Sequence, residues 1–448
     1  MVSKLISQFV FLVTFAFLMH DPVFAQVKNE NFVLDMEVKS ETVSSVSELL
    51  LDNYIFPDVA KEMGDYINAQ LQSGAYTNIT DPVDFAQQLT GDLLKISNDK
   101  HIKVSFSPDR VKEMREFQEI RLTPEEEDSL YIEELRPENF GFKKVEILPG
   151  NIGYIDFRRF APANIIEEKV FSVMEFLKDT DALIFDMRYN SGGSASGVQL
   201  ICSYLFGEEP VHLNDLYFRP MDTTEQFWTL KELKGKRLPD IPVYILTSSF
   251  TFSGAEEFSY DLKALNRATL VGQSTGGGAH PGGPEIANDY YYINIPKGRA
   301  INPYTKTNWE GTGVSPDVDI DSRLALTKAH ILALEKVLTN VNSDQTKNQL
   351  NFLIGSLKDA LNAPEIDINT LKSYVGTYGE RNITYENGQL YFQRGWRQTY
   401  KMSPISEDTF MLMDMPYFRI KFDKDANGKV IGITGIYDDG HTDNTSKD

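Results

Sequence analysis

The sequence has 448 residues, 41% of them apolar, and 65 acidic against 44 basic residues give a formal net charge of −21. That length suits two to four domains at ~100–200 residues each, and the charge excludes a phosphate-backbone partner, whose affinity rests on Lys and Arg. Its single cysteine, Cys202, excludes an internal disulfide framework, a cysteine-rich zinc site and a CxxC redox pair.

Residues 1–25 predict a secretory signal peptide: Lys4 near the start, an apolar run from Phe9 to Met19, then Val23-Phe24-Ala25 before the cut. The run is short for a membrane span of ~20 residues, and no cysteine follows the cut to carry a lipid. The expected product is exported, periplasmic or extracellular, with no membrane span. Residues 26–106 predict a helical domain. Val43, Val46, Leu50 and Tyr54 share one helix face, and Val59, Met63, Tyr66 and Leu71 share another. Asp81 and Pro82 mark the start of a third helix, buried through Phe85, Leu89 and Leu93. After Asp99 the period falls to two, so His101 is delivered at the start of a strand.

Residues 107–144 are rich in Glu and Arg with little periodicity, and predict a charged connector. Residues 145–322 predict an α/β core: a hairpin turning at Leu148-Pro149-Gly150-Asn151, then strand runs at Ala182 to Met187, Val243 to Thr247 and Thr269 to Val271. Helical stretches separate these runs. Residues 323–362 read as a helical connector. Residues 363–448 read as a small β module, with turn signals at Asn387-Gly388 and Asn427-Gly428.

Two turns carry chemistry. From Thr247 a buried strand ends, and a helix begins at or just after Ser253. The Ser253 hydroxyl then lies at a helix N-terminus, where N–H groups favour negative charge, and the Gly254 amide can face an oxyanion. A helix-capping role for Ser253 fits the same stretch. Asp186 to Gly193 is another strand end, with Gly192 and Gly193 able to present amides at the same sheet edge. Asp186 and Arg188 read as a pair holding that turn. Glu256 and Glu257 follow the serine, with a solvated helix face expected for at least one.

With these motifs the chain resembles the tail-specific (C-terminal processing) serine peptidases, in the branch containing tricorn core protease and interphotoreceptor retinoid-binding protein. The resemblance covers about residues 40–320. It rests on Asp99-Lys100-His101, the two turns, the stretch from Val271 to Pro281, and the stretch from Trp309 to Asp317. It implies an α/β (α+β) catalytic core of crotonase-like ββα type, between the N-terminal helical cap and the C-terminal β module that the pattern predicts. By position in the motifs it implies Ser253 as nucleophile, His101 as general base, Glu310 as the acidic member, and Gly254 with Gly192 or Gly193 as oxyanion hole.

Gly277 stands where the Ser–Lys branch of the family has its lysine, so the base is a histidine, with His280 the alternative to His101. Lys100 stands where tricorn-like enzymes carry a relay serine, which leaves Glu310 and Asp99 both open as partners of His101. There is no room for a PDZ domain between Phe106 and Val145. The implied function is an exported serine endopeptidase acting on peptide or protein substrates, without metal or organic cofactor. The alternative is a non-catalytic binding protein for hydrophobic ligands or peptides on the same scaffold. The pattern leaves the oligomeric state open.

Overall fold

The computed structural model describes residues 32–448 apart from 121, so the expected signal peptide lies outside the described residues. Among the described residues, no helix is long and apolar enough to cross a membrane.

Three helices open the fold: α1 (Met36–Asn53), α2 (Pro57–Gln72) and α3 (Pro82–Ser97). The Asp81 carboxylate caps α3 by accepting from Val83 N at 2.8 Å and Asp84 N at 3.1 Å, and Pro82 takes the first position. Val43, Val46, Leu50, Met63, Phe85 and Leu93 meet in one wholly buried cluster. Each such side chain contributes roughly 1.5–3 kcal/mol by leaving water. The strand β1 (Lys103–Phe106) follows, with His101 in the turn two residues before it.

The segment expected to be an irregular connector is helical, with α4 (Pro108–Glu119) and α5 (Pro124–Leu135). Thr123 and Glu126 close a reciprocal cap at the start of α5. Only Val111 in α4, and Tyr131 and Leu135 in α5, are buried. So few buried positions leave almost no apolar period for the sequence to display.

The core follows as β2 (Phe142–Leu148), β3 (Ile152–Phe157), α6 (Ala163–Leu177), β4 (Ala182–Asp186), α7 (Ala195–Tyr204), β5 (His212–Phe218), β6 (Thr223–Trp228), β7 (Val243–Thr247), α8 (Gly254–Ala264), β8 (Thr269–Gly272), β9 (Gly282–Ile286), β10 (Tyr291–Pro296), β11 (Gly298–Ile301) and β12 (Val318–Asp319). It is a mixed α/β layer. Its six-stranded sheet has the order β12-β8-β7-β4-β3-β2, parallel except for β2. Strands β3, β4 and β7 are buried on both faces, as unbroken apolar runs in parallel sheets are. Two antiparallel sheets, β1-β10-β9 and β11-β5-β6, flank it. The first joins the helical domain to the core, with Lys103 opposite Asn294.

Helices α9 (Ala325–Leu338) and α10 (Asp344–Leu361) pack Ala329, Leu334 and Leu353 against the other face of the sheet. A short helix, α11 (Ile368–Ser373), leads into four- and five-stranded antiparallel sheets between Gly376 and Ser446. Tyr374, Tyr378, Phe392, Phe410 and Phe422 form the core of that region. Asn387 and Gly388 both take positive φ between paired Glu386 and Gln389, the two-residue hairpin that Asn-Gly favours.

Candidate active site

Strands β4, β7 and β8 are neighbours and parallel, so the loops leaving their carboxyl ends share one edge of the sheet, where ligands of such sheets bind. Those loops are Met187 to Ser194, Ser248 to Ser253, and Gln273 to Pro281.

Ser253 precedes α8 with φ 51° and ψ −123°, outside the ordinary regions for a side-chain-bearing residue. Strain of that kind costs of order 1–3 kcal/mol and persists only where its surroundings hold it. Glu256 holds it here. One carboxylate oxygen accepts from Ser253 N at 2.9 Å and Gly278 N at 2.8 Å; the other accepts from Gly277 N at 2.7 Å and the Thr275 hydroxyl. The Ser253 turn and the Gly-rich loop are thus clamped by one side chain. Burial pushes the Glu256 carboxyl up, and these four donors oppose it.

The Gly192–Gly193 turn presses against this serine. A Cβ on Gly192 would lie 2.7 Å from Gly254 N and 2.8 Å from Ser253 Cβ, and Gly192 has φ 108°. Only glycine fits. Of the two expected oxyanion donors on this turn, Gly192 is committed elsewhere, because its N–H donates to Asn190 Oδ1 at 2.8 Å. The Gly193 and Gly254 amides have no acceptor among the described residues, and a Cβ on Gly254 would lie 3.1 Å from Gly193 N. Two adjacent free N–H groups therefore flank Ser253. Asp186 and Arg188 fix the turn from behind, with bonds of 2.9 and 2.6 Å.

His101 reaches this edge from the helical domain. Its ring packs on Phe252, the residue before Ser253, with centroids 4.7 Å apart. A Cβ on Gly278 would touch both that ring and Phe252. The ring Nδ1 of His101 lies 3.5 Å from Asp99 Oδ1, and its backbone N–H donates to the same oxygen at 3.1 Å. The other oxygen of Asp99 is 2.7 Å from His280 Nδ1 and accepts from the Tyr54 hydroxyl at 3.2 Å. Glu310 stands 3.4 Å from that same His280 nitrogen and accepts from Ala279 N at 2.5 Å. The structure thus brings Asp99 to His101, and Glu310 to His280.

Burial alone would raise the Asp99 carboxyl, but the two imidazoles hold it well below the usual carboxylate range. Burial and the nearby Asp99 push Glu310 up. Asp99, His280 and Glu310 have the donor types of a cation site and lie close together. The 2.7 Å contact between His280 and Asp99 is already a hydrogen bond.

Ser253, Gly193 and Gly254 open on a cavity of about 90 Å³, walled by Leu216, Phe218, Phe227 and Trp309 and carrying Glu225 and Glu257. Both Glu256 and Glu257 are buried, which corrects the expected solvated face. The Glu256 clamp was missed, although Ser253 followed at +3 by a glutamate is a capping-box pattern.

The site therefore combines a strained serine at a helix N-terminus, two unspent amides and a histidine paired with a carboxylate. Comparison with known proteins gives the class. Peptidase family S41 matches residues 151–320, and the N-terminal domain of Peptidase S41 in eukaryotic IRBP matches residues 34–148. The chain belongs to peptidase family S41, a family of serine peptidases.

Among particular proteins, it is 27% identical over 218 residues to the tricorn protease of Thermoplasma volcanium, covering 45% of this chain and 18% of that one. The chain thus spans about a fifth of that relative's length. Similar solved structures include a lipoprotein from Streptococcus agalactiae (14% identity, TM-score 0.43, 66% of this chain and 96% of that one). Another is the photosystem II D1 C-terminal processing protease (14% identity, TM-score 0.39, 64% of this chain and 94% of that one).

Proposed function

We propose that the protein is an exported serine endopeptidase that cleaves peptide bonds through an acyl-enzyme. The observation that carries this reading is the pair of unspent amides, Gly193 and Gly254, beside the strained Ser253. Ser253 Oγ attacks the carbonyl carbon while its proton passes to His101. The oxyanion sits between the two amides, each such donor being worth ~3 kcal/mol in the barrier. Collapse expels the amine, which takes the proton from His101, and a water deprotonated by His101 then releases the acyl group.

His101 is assigned as base because it packs on Phe252, whereas His280 Nδ1 is held between Asp99 and Glu310. Asp99 orients His101, and Glu310 acts through His280 as a positioning residue. Export rests on the signal-peptide pattern. The crotonase-like ββα type of the core rests on the sequence resemblance, and the division into cap, core and β module rests on the residue pattern along the chain.

The test is peptide hydrolysis by purified protein. Ser253→Ala should lower the rate on the order of a million-fold. His101→Ala should come close to that, and His280→Ala should retain far more activity. Undiminished cleavage by the Ser253→Ala protein would refute the assignment.

A further inference from the structure

His101 comes from the helical domain and Ser253 from the core, so their register depends on contacts across that boundary. Ile102 N donates to Asp99 O at 3.0 Å, which makes Lys100 and His101 the two central residues of a tight turn. Two bonds fix the His101 backbone: its N–H donates to Asp99 Oδ1 at 3.1 Å, and Asn294 Nδ2 donates to its carbonyl at 2.7 Å.

Lys100 reaches across to the core. Its side chain is exposed, yet its ammonium donates to the Gly276 carbonyl at 2.5 Å, over a separation of 176 residues. The same peptide group carries the Gly277 N–H, which donates to Glu256 Oε1 at 2.7 Å. One peptide is therefore held between an ammonium at its oxygen and a carboxylate at its nitrogen. Charge-assisted bonds are roughly twice as strong as neutral ones, and bonds in series polarise one another.

From this peptide the contacts run on to the serine. The other oxygen of Glu256 accepts from Ser253 N at 2.9 Å. Gly276 N donates to Thr251 O at 2.9 Å, just ahead of the serine. A Cβ on Gly276 would lie 2.7 Å from the Phe252 ring, so the loop is also pressed against the residue that His101 packs on. The loop holds the turn at a second point, where His280 Nδ1 lies 2.7 Å from Asp99 Oδ2. A single attachment would leave a pivot, and the pair fixes the turn's orientation.

We propose that Lys100 is a positioning residue: its ammonium anchors the turn bearing His101 to the Gly276–Gly277 peptide, which Glu256 ties to Ser253, and so sets the reach of the base to the serine. The proposal rests on the peptidase reading above. A bond at the surface adds little to stability. Displacing a catalytic group by ~1 Å, by contrast, costs on the order of 10²-fold in rate.

The experiment compares full-length wild type with Lys100→Met, which keeps the length of the side chain and removes its charge. On a fluorogenic peptide, kcat at the pH plateau should fall by about 10–100-fold, with KM within about 2-fold. Labelling of Ser253 by a fluorophosphonate should slow in parallel. The melting temperature should stay within about 2 °C of wild type, as for other surface substitutions. Amide exchange across residues 273–281 should quicken by about 10-fold, with α9 unchanged.

The rescue uses Lys100→Cys alkylated with 2-bromoethylamine, which returns an ammonium to the same place. The native thiol, Cys202, is buried away from the reagent. Alkylation should restore most of kcat and of the protection from exchange. An unchanged plateau kcat in Lys100→Met would overturn the proposal, even with the pH profile displaced, since that is charge acting on His101 without moving it. A loss that alkylation leaves in place, or one matched by a large fall in melting temperature, would overturn it too. Failure of the peptidase reading shows separately, as wild-type protein that leaves peptides intact while exchange still responds to Lys100→Met.

Discussion

The two sides of the Ser253 turn treat neighbouring carboxyl groups in opposite ways. On the loop side, Glu256 is wholly buried and accepts from four donors, three of them backbone N–H groups of Ser253, Gly277 and Gly278. On the cavity side, Glu257 is equally deep but faces Glu225 and apolar walls, with no ion pair among the described residues. Asn214 lies beside it, wholly buried. Burial pushes the Glu257 carboxyl up to about 7, Asn214 opposes this, and Glu225 adds to it. Burial alone therefore does not define a group's role, because the donors around it decide whether it is a clamp or a charge held at a cost. The loop side fixes geometry, and the cavity side stays available to a ligand.

The largest effect on this contrast should come from Glu256→Ala. It orphans three backbone donors and a hydroxyl, each costing about 1–3 kcal/mol when buried. Thermal or urea unfolding should show a loss of about 4 kcal/mol or more, and peptide cleavage should fall with it as Ser253 relaxes. Glu256→Gln keeps one acceptor oxygen and should recover about half of that loss.

Next comes the oxyanion side. Gly193→Ala places a Cβ 2.1 Å from Phe160 O at φ 132°, so the turn must shift. Cleavage should fall by about 10²–10³-fold, the worth of one oxyanion donor. A Gly193→Ala protein of unchanged kcat would remove this amide from the account.

The smallest effect is the most diagnostic of the cavity side. The folded-state pKa of Glu257 lies above the unfolded value, so the group costs nothing below about 4.5. The penalty grows as pH rises through about 7, and reaches on the order of 3 kcal/mol above it. Glu257→Gln removes that penalty. The variant should match wild type in melting temperature near pH 4 and exceed it near pH 8. A pH-independent difference would contradict the burial penalty on Glu257.

These contrasts also mark what could be read from sequence. Local signals held where one segment determines its own structure. The Asp81-Pro82 cap begins α3, and the run from Val243 to Thr247 is β7. The strand-to-helix junction at Ser253 and the Asp186–Arg188 pair were legible for the same reason. Helices α4 and α5 were missed because charged faces and few buried residues suppress periodicity, although Ser107-Pro108 and Thr123-Pro124 carried their start signals. The partners of the site are non-local. Asp99 meets His280 across 181 residues, and Glu256 meets Gly278 across 22, so neither contact leaves a pattern in either segment. The commitment of the Gly192 amide to Asn190 depends on backbone geometry that the sequence does not display.

The central claim is that Ser253 is an activated nucleophile between two free amides. The most direct measurement is to treat the folded protein with a fluorophosphonate probe and locate the adduct by mass spectrometry. The account predicts a single modified residue, Ser253, with labelling abolished in Ser253→Ala and strongly slowed in His101→Ala. A folded protein that leaves Ser253 unmodified, or that labels at another serine, would contradict it.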